Sequence, residues 1–180
     1  MNTKVQEIIN EINDVRQQIY AAVAELSQEQ MDFKPSPDVW SISEVLSHLN
    51  IVEKGLPKLY SILLKKAEDA GFKPETEGSM LNSLDYAQLE VVNQKMPAPE
   101  RVLPQAGIEK AELLTALQAS RQAVIDAVAP AGNYDFSEVK WAHPFLGEIN
   151  FYQWILFIGK HEQRHLGQIN DIRQFANFPA

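Results

Sequence analysis

The sequence predicts an all-α fold: a four-helix bundle in which a long crossover joins the second and third helices. Three observations lead there. Apolar residues recur at alternating three- and four-residue spacing through four separate segments, the mark of an amphipathic helix with one buried face. No segment shows the period-two alternation of a half-buried strand bounded by hairpin turns. Residues 70–107, between the second and third segments, are rich in Pro, Gly and polar side chains, over a length uncommon for a connection without a job of its own.

The first helix carries its stripe at Val5, Ile8, Ile12, Val15, Ile19, Ala22 and Leu26. In the second, the stripe is Ile42, Val45, Leu49, Val52, Leu56, Leu59 and Leu63. Ser41 is placed to cap it, Glu44 completes a capping box, and Trp40 and Val45 stand at the positions of a hydrophobic staple. Pro57 lies inside the pattern and should kink the helix. The third helix spans about Lys110 to Val128, with Leu113, Leu117, Val124 and Val128 facing inward and "PAG" closing it. The fourth begins at Asn150, with Gln153 at the box position and Ile149 and Trp154 as staple partners, and runs to about Phe175. Within the crossing, only Leu84 to Val92 suggests a short helix. A helix of roughly 25 residues is about 37 Å long, and about 11 extended residues return along it. The crossing is long enough to leave helices two and three parallel.

The 180 residues fit one domain, 1–180, with a real core. A formal charge of -8 gives no electrostatic footprint for nucleic acid or for anionic lipid. There is no cysteine, so a disulfide framework, thiolate-ligated zinc and a cysteine nucleophile are excluded. Any metal must use imidazole, carboxylate, amide or water. The N-terminus "MNTKVQEIINEIND" lacks the basic and apolar regions of a signal peptide. "WILFIG", at 154–159, is too short to span a bilayer. A cytoplasmic location is the expectation.

Four histidines carry the remaining information. "HEQRH", residues 161–165, reads as the zinc-protease signature H-E-x-x-H. A protease of that kind takes a third ligand downstream, and "LGQINDIRQFANFPA" offers only Asp171, about 240° around the helix from His165. Arg164 directly before the second histidine is also unlike a buried protease helix. His161 and His165, four apart, instead share the stripe of Trp154, Ile158, Ile169 and Ile172. They are either core histidines satisfied by neighbours or a pair of ligands. His48, two turns into the second helix, can reach the interior opposite them. Three imidazoles with an open position suit zinc, nickel or ferrous iron. His143 precedes Pro144, which holds it extended. It belongs to an ordered loop at the mouth of the bundle, where hydrogen bonding fits it better than ligation.

"WSISEVLSHL" at 40–49, followed by "HPFLGEINFYQWILFIGKHEQRHLGQI" at 143–169, resembles the DinB-like superfamily, relatives of the YfiT hydrolase-like proteins and the bacillithiol transferases. The resemblance covers nearly the whole chain. It implies an up-down-down-up four-helix bundle, a divalent metal held by His48, His161 and His165, and a homodimer. It also implies a small-molecule substrate, with the metal activating an external low-molecular-weight thiol for S-transfer. Hydrolysis through a metal-bound water, or a stress-related metal-binding role without turnover, are the alternatives. Gln168 shares the face of both helix-four histidines and is the candidate to orient a ligand or the substrate. Glu44, one turn before His48, can do similar work, although its capping box already accounts for it. Trp40, Tyr134, Trp141 and His143 are candidate walls of the pocket. Glu162, turned about 100° from His161, should face a neighbouring helix or solvent and pair with Lys160 or Arg164.

Overall fold

In a computed structural model, which describes residues 2–84 and 98–180, three of the four bundle helices start on side-chain caps. Asn2 accepts from the Val5 amide to begin α1 (Thr3–Val23). The Ser41–Glu44 capping box opens α3 (Ile42–Lys54), and the Asn150–Gln153 box opens α6 (Phe151–Arg173). These reciprocal bonds satisfy amides that have no partner inside the helix. A five-residue turn, α2 (Gln28–Asp32), links α1 to α3. The second bundle helix is broken rather than merely kinked. It ends at Gly55 and resumes as α4 (Leu56–Asp69), with Pro57 in the first turn of the new segment. Proline is tolerated there because the first amides of a helix are unpaired anyway. The third bundle helix is α5 (Lys110–Val128), closed by a 3-10 turn over Ala129–Ala131. A further 3-10 turn, Glu100–Val102, ends the crossing. Apart from Leu84, which is buried in the core, the helical stretch expected at Leu84–Val92 lies outside the described residues.

The order in which each helix meets the two halves of the core fixes the topology. One apolar cluster holds Ile8 and Ile12 of α1, Tyr60 and Leu63 of α4, Val124 and Val128 of α5, and Trp154 and Ile158 of α6. The other holds Ile19 and Val23, Val45 and Leu49, Leu113 and Leu117, and Ile169 and Ile172. Thus α1 and α6 run one way while α3–α4 and α5 run the other: up-down-down-up, with the expected crossover.

The helical bundle carries one small addition that the sequence pattern does not show. Lys140–His143 (β1) and Gly147–Asn150 (β2) form a short antiparallel hairpin, Lys140 opposite Asn150 and His143 opposite Gly147. Each strand has four residues, so the pattern is too short to show a period of two. Only His143 of β1 turns inward. The hairpin leads directly into α6 beside the bundle mouth. No described helix is long and apolar enough to cross a membrane.

Candidate metal centre

His48 on α3 and His161 and His165 on α6 converge through one nitrogen each. His161 Nε2 lies 3.3 Å from His48 Nε2 and 3.2 Å from His165 Nε2. The other ring nitrogens explain why. His48 Nδ1 donates to the Val102 carbonyl at 2.7 Å. A carbonyl only accepts, so Nδ1 holds the proton and Nε2 presents a lone pair. His165 Nδ1 likewise meets Gln168 Oε1 at 2.9 Å. Two lone pairs therefore face a third nitrogen that can carry at most one proton. Metal–nitrogen bonds of about 2.1 Å to tetrahedral corners would separate the nitrogens by about 3.4 Å. The two spacings to His161 are close to that, all three donor atoms lie within 4.8 Å of one another, and three neutral nitrogens are a suitable donor set for a divalent ion.

Burial keeps them neutral. It pushes His161 well below the ordinary imidazole value, helped by repulsion from His165 and His48. Burial and the His48 charge hold His165 down to about 3 despite its bond to Gln168. Burial also lowers His48, against the opposing effect of Val102. Neutral imidazole is the form that binds a metal.

All three histidines line a cavity of about 860 Å³. Its walls are largely apolar, with Trp40, Phe145, Trp154 and Phe157 beside the histidines and Arg164 among the polar groups. Trp40 packs on His48 with centroids 4.9 Å apart and lies nearly parallel to His165 at 6.3 Å. Phe157 stacks against His161 at 5.7 Å. The aromatic rings both fix the imidazoles and shape the space in front of them.

Residues 11–169 match the DinB superfamily. The chain belongs to the DinB superfamily. This DinB protein is 33% identical over 163 residues to the uncharacterized protein YuaE of Bacillus subtilis (strain 168), covering 90% of this chain and 94% of that one. Its fold is similar to the crystal structure of TT2238, a four-helix bundle protein, with a TM-score of 0.62 and 17% identity over 92% of this chain and 98% of that one.

Within the DinB protein, Trp40, His143 and Gln168 line the cavity. His143 makes the expected loop hydrogen bonds: Nδ1 accepts from the Phe145 and Leu146 amides, each at 3.2 Å. Burial holds its pKa down to about 4. Glu44 caps α3, accepting from the Ser41 amide at 2.8 Å, and pairs with Lys34. It is not among the residues lining the cavity. Tyr134 and Trp141 are placed elsewhere. Tyr134 stacks on Phe72 at 4.1 Å, and its carbonyl accepts from Asn2 at the start of α1, the opposite end of the bundle from α2. Trp141 is 41% exposed on β1, and its backbone carbonyl accepts from Trp154 Nε1. Val102, missed in the sequence, orients His48 through its main chain, which no side-chain pattern reveals.

Glu162 does turn to the neighbouring helices, but with partners other than those expected. It is buried, and Oε1 accepts from Arg16 and from Arg121 Nη2 at 2.8 Å. Glu53 completes the cluster: Arg16 Nη2 reaches it at 3.0 Å, Arg121 Nε at 2.7 Å, and Ser120 Oγ also donates to it. Burial works against the charged form of Glu53, but the two arginines and Ser120 outweigh it and hold the carboxyl below its ordinary range. Glu162, with Oε2 buried and unpartnered, is pushed up by burial. The sequence carried a signal for this cluster. Arg16, Glu53 and Arg121 each stand four residues after one inward apolar position and three before the next (Ile12 and Ile19, Leu49 and Leu56, Leu117 and Val124). Glu162 follows Ile158 by four and precedes Ile169 by seven.

Proposed function

We propose that this DinB protein is a metal-dependent enzyme that activates a low-molecular-weight thiol for transfer to a small electrophile. The observation that carries the reading is the convergence of His48, His161 and His165 Nε2 atoms in the wall of a largely apolar cavity. His48, His161 and His165 would hold a divalent ion, which when bound would lower the pKa of a thiol and so supply thiolate at neutral pH.

The chain's own residues supply the setting. Val102 and Gln168 hold two imidazoles with Nε2 forward. Trp40, Trp154 and Phe157 exclude water from one side of the histidines and offer an apolar surface to the substrate. The only carboxylate lining the cavity among the described residues is Asp38, which is exposed. A thiol, with a reference pKa of about 8.5, needs only a modest shift and no general base, which supports it over water as the reacting group. The absence of cysteine is consistent with a thiol brought from outside.

Elemental analysis of the purified protein tests the site. His48→Ala, His161→Ala and His165→Ala should each lower metal content sharply, and His143→Ala should not. Full metal in the His48→Ala variant would refute the assignment. Turnover is then measured with thiol and electrophile pairs, and metal without turnover would leave a binding protein.

A further inference from the structure

Arg164 stands beside the three histidines, and its surroundings are unusual. It is half-buried and lines the cavity. Among the described residues no carboxylate pairs with it, although the chain has an acidic excess. Its Nη1 lies 3.4 Å from His165 Nε2. Because His165 Nδ1 faces Gln168 Oε1, Nε2 is the accepting nitrogen in that contact. That lone pair is the same one the proposed metal would take. With a divalent ion seated, Arg164 loses its partner and stands next to a second positive charge. A guanidinium does not shed its proton, and a half-buried cation without a counter-charge is costly.

We propose that Arg164 is the substrate anchor of the cavity, and that the cavity takes a small carboxylate with an apolar body. The carboxylate would lie against the guanidinium, whose planar fork matches it in two parallel hydrogen bonds. The apolar body would rest on Trp40, Phe145, Trp154 and Phe157. Arg101 also lines the cavity, on the 3-10 turn that supplies Val102, and adds positive potential from the crossing side. The walls thus select for shape and the arginine selects for charge. This inference rests on the metal reading above in that a seated ion would take the His165 lone pair and free the guanidinium. In a metal-free chain the carboxylate would itself have to displace His165 from Arg164.

The test is calorimetric binding of two matched probes, 3-phenylpropanoate and its neutral amide, to the zinc-loaded full chain, with metal content measured in parallel. The carboxylate should bind about tenfold or more tightly than the amide, the scale of a charged hydrogen-bonded contact. Arg164→Gln should bring the two probes to within about threefold while metal content stays unchanged, and Arg164→Lys should keep part of the preference, since a point charge replaces the fork. An undiminished preference in Arg164→Gln would mean that the carboxylate is held by the metal or by another group, and would overturn the assignment. So would equal binding of both probes, or binding of neither. If instead the parent protein takes up no zinc yet shows the Arg164-dependent preference, the metal reading fails and the anchor stands.

Discussion

Replacing Glu162 by glutamine separates two accounts of the H-E-x-x-H segment. In a zinc protease this glutamate would be the base that activates water. In this bundle it is 1% exposed and faces Arg16 and Arg121, away from the cavity residues. The substitution keeps an oxygen that can accept from the guanidiniums but removes the charge. Two arginines then share the single carboxylate of Glu53. Two unit charges at about 4 Å interact by about 4 kcal/mol at an effective dielectric of 20, and breaking a buried pair from one side costs about 3–5 kcal/mol. Because the hydrogen-bonding oxygen survives and Glu53 still pairs with both arginines, the lower end is expected, about 3 kcal/mol. For a chain of this size that lowers Tm by roughly 6–12 °C.

Urea unfolding followed by circular dichroism gives the free energy, and elemental analysis gives the metal. The expected result is a large stability loss with metal content, and most of the proposed thiol-transfer activity, retained. A loss under about 1 kcal/mol together with a rate drop beyond about a hundredfold would show that Glu162 acts in the chemistry and that its burial among arginines has been misjudged.

Two further predictions concern packing and acid. A Cβ on Gly159 would come within 2.8 Å of Ile12 Cγ2, whereas one on Gly167 meets nothing within 4 Å. Gly167→Ala should therefore stabilise α6 by about 0.5–1 kcal/mol, and Gly159→Ala should destabilise by about 1–2 kcal/mol as overpacking outweighs the helix gain; thermal melts of the pair check the contrast, and equal signs would contradict it. The depressed imidazoles mean that protons compete weakly for Nε2 in the folded site, so the proposed metal should stay bound as pH falls through the ordinary imidazole value of about 6.5. The same depression makes the metal-free protein lose stability as pH falls through 6.5, where the unfolded imidazoles take up protons that the folded ones refuse; equilibrium dialysis and pH-dependent melts measure both, and release above pH 6.5 would count against the burial account.

The parts legible in the sequence were those governed by local periodicity. The helix stripes, both expected capping boxes and the parallel placement of α3–α4 and α5 follow from spacing and chain length. The hairpin was not legible, because four-residue strands fall below the length at which alternation shows. Pro57 marked the right place but not the break, since Gly55 ends one helix and the proline starts the next. At the site, the His48 and His161–His165 spacing was visible on two helices, while Val102 acts through a carbonyl common to every residue. Tyr134 and Trp141, aromatic and ahead of α6, read in the sequence as pocket walls, yet neither lines the cavity. Residue type does not say to which end or face a loop side chain turns.

The arginine–glutamate cluster also bears on why the histidines meet at all. Arg16, Glu53, Arg121 and Glu162 come one from each bundle helix and separate the two apolar clusters at a single level. Sliding any helix by one turn would move a guanidinium or a carboxylate into an apolar cluster and leave its partners unpaired, at a cost of several kcal/mol. Apolar side chains alone would penalise the same slip far less, because leucine, isoleucine and valine substitute for one another in a core with modest losses. The charged layer therefore sets the register of the helices. Glu53 follows His48 by five residues on the same bundle helix, and Glu162 directly follows His161. Pinning the two glutamates to shared arginines pins the two histidine-bearing segments to one level, which is what brings His48 Nε2 to 3.3 Å from His161 Nε2. Glutamine at 162 keeps that pin through its oxygen while discarding the charge. A costly substitution that leaves the metal in place is the combination this arrangement requires.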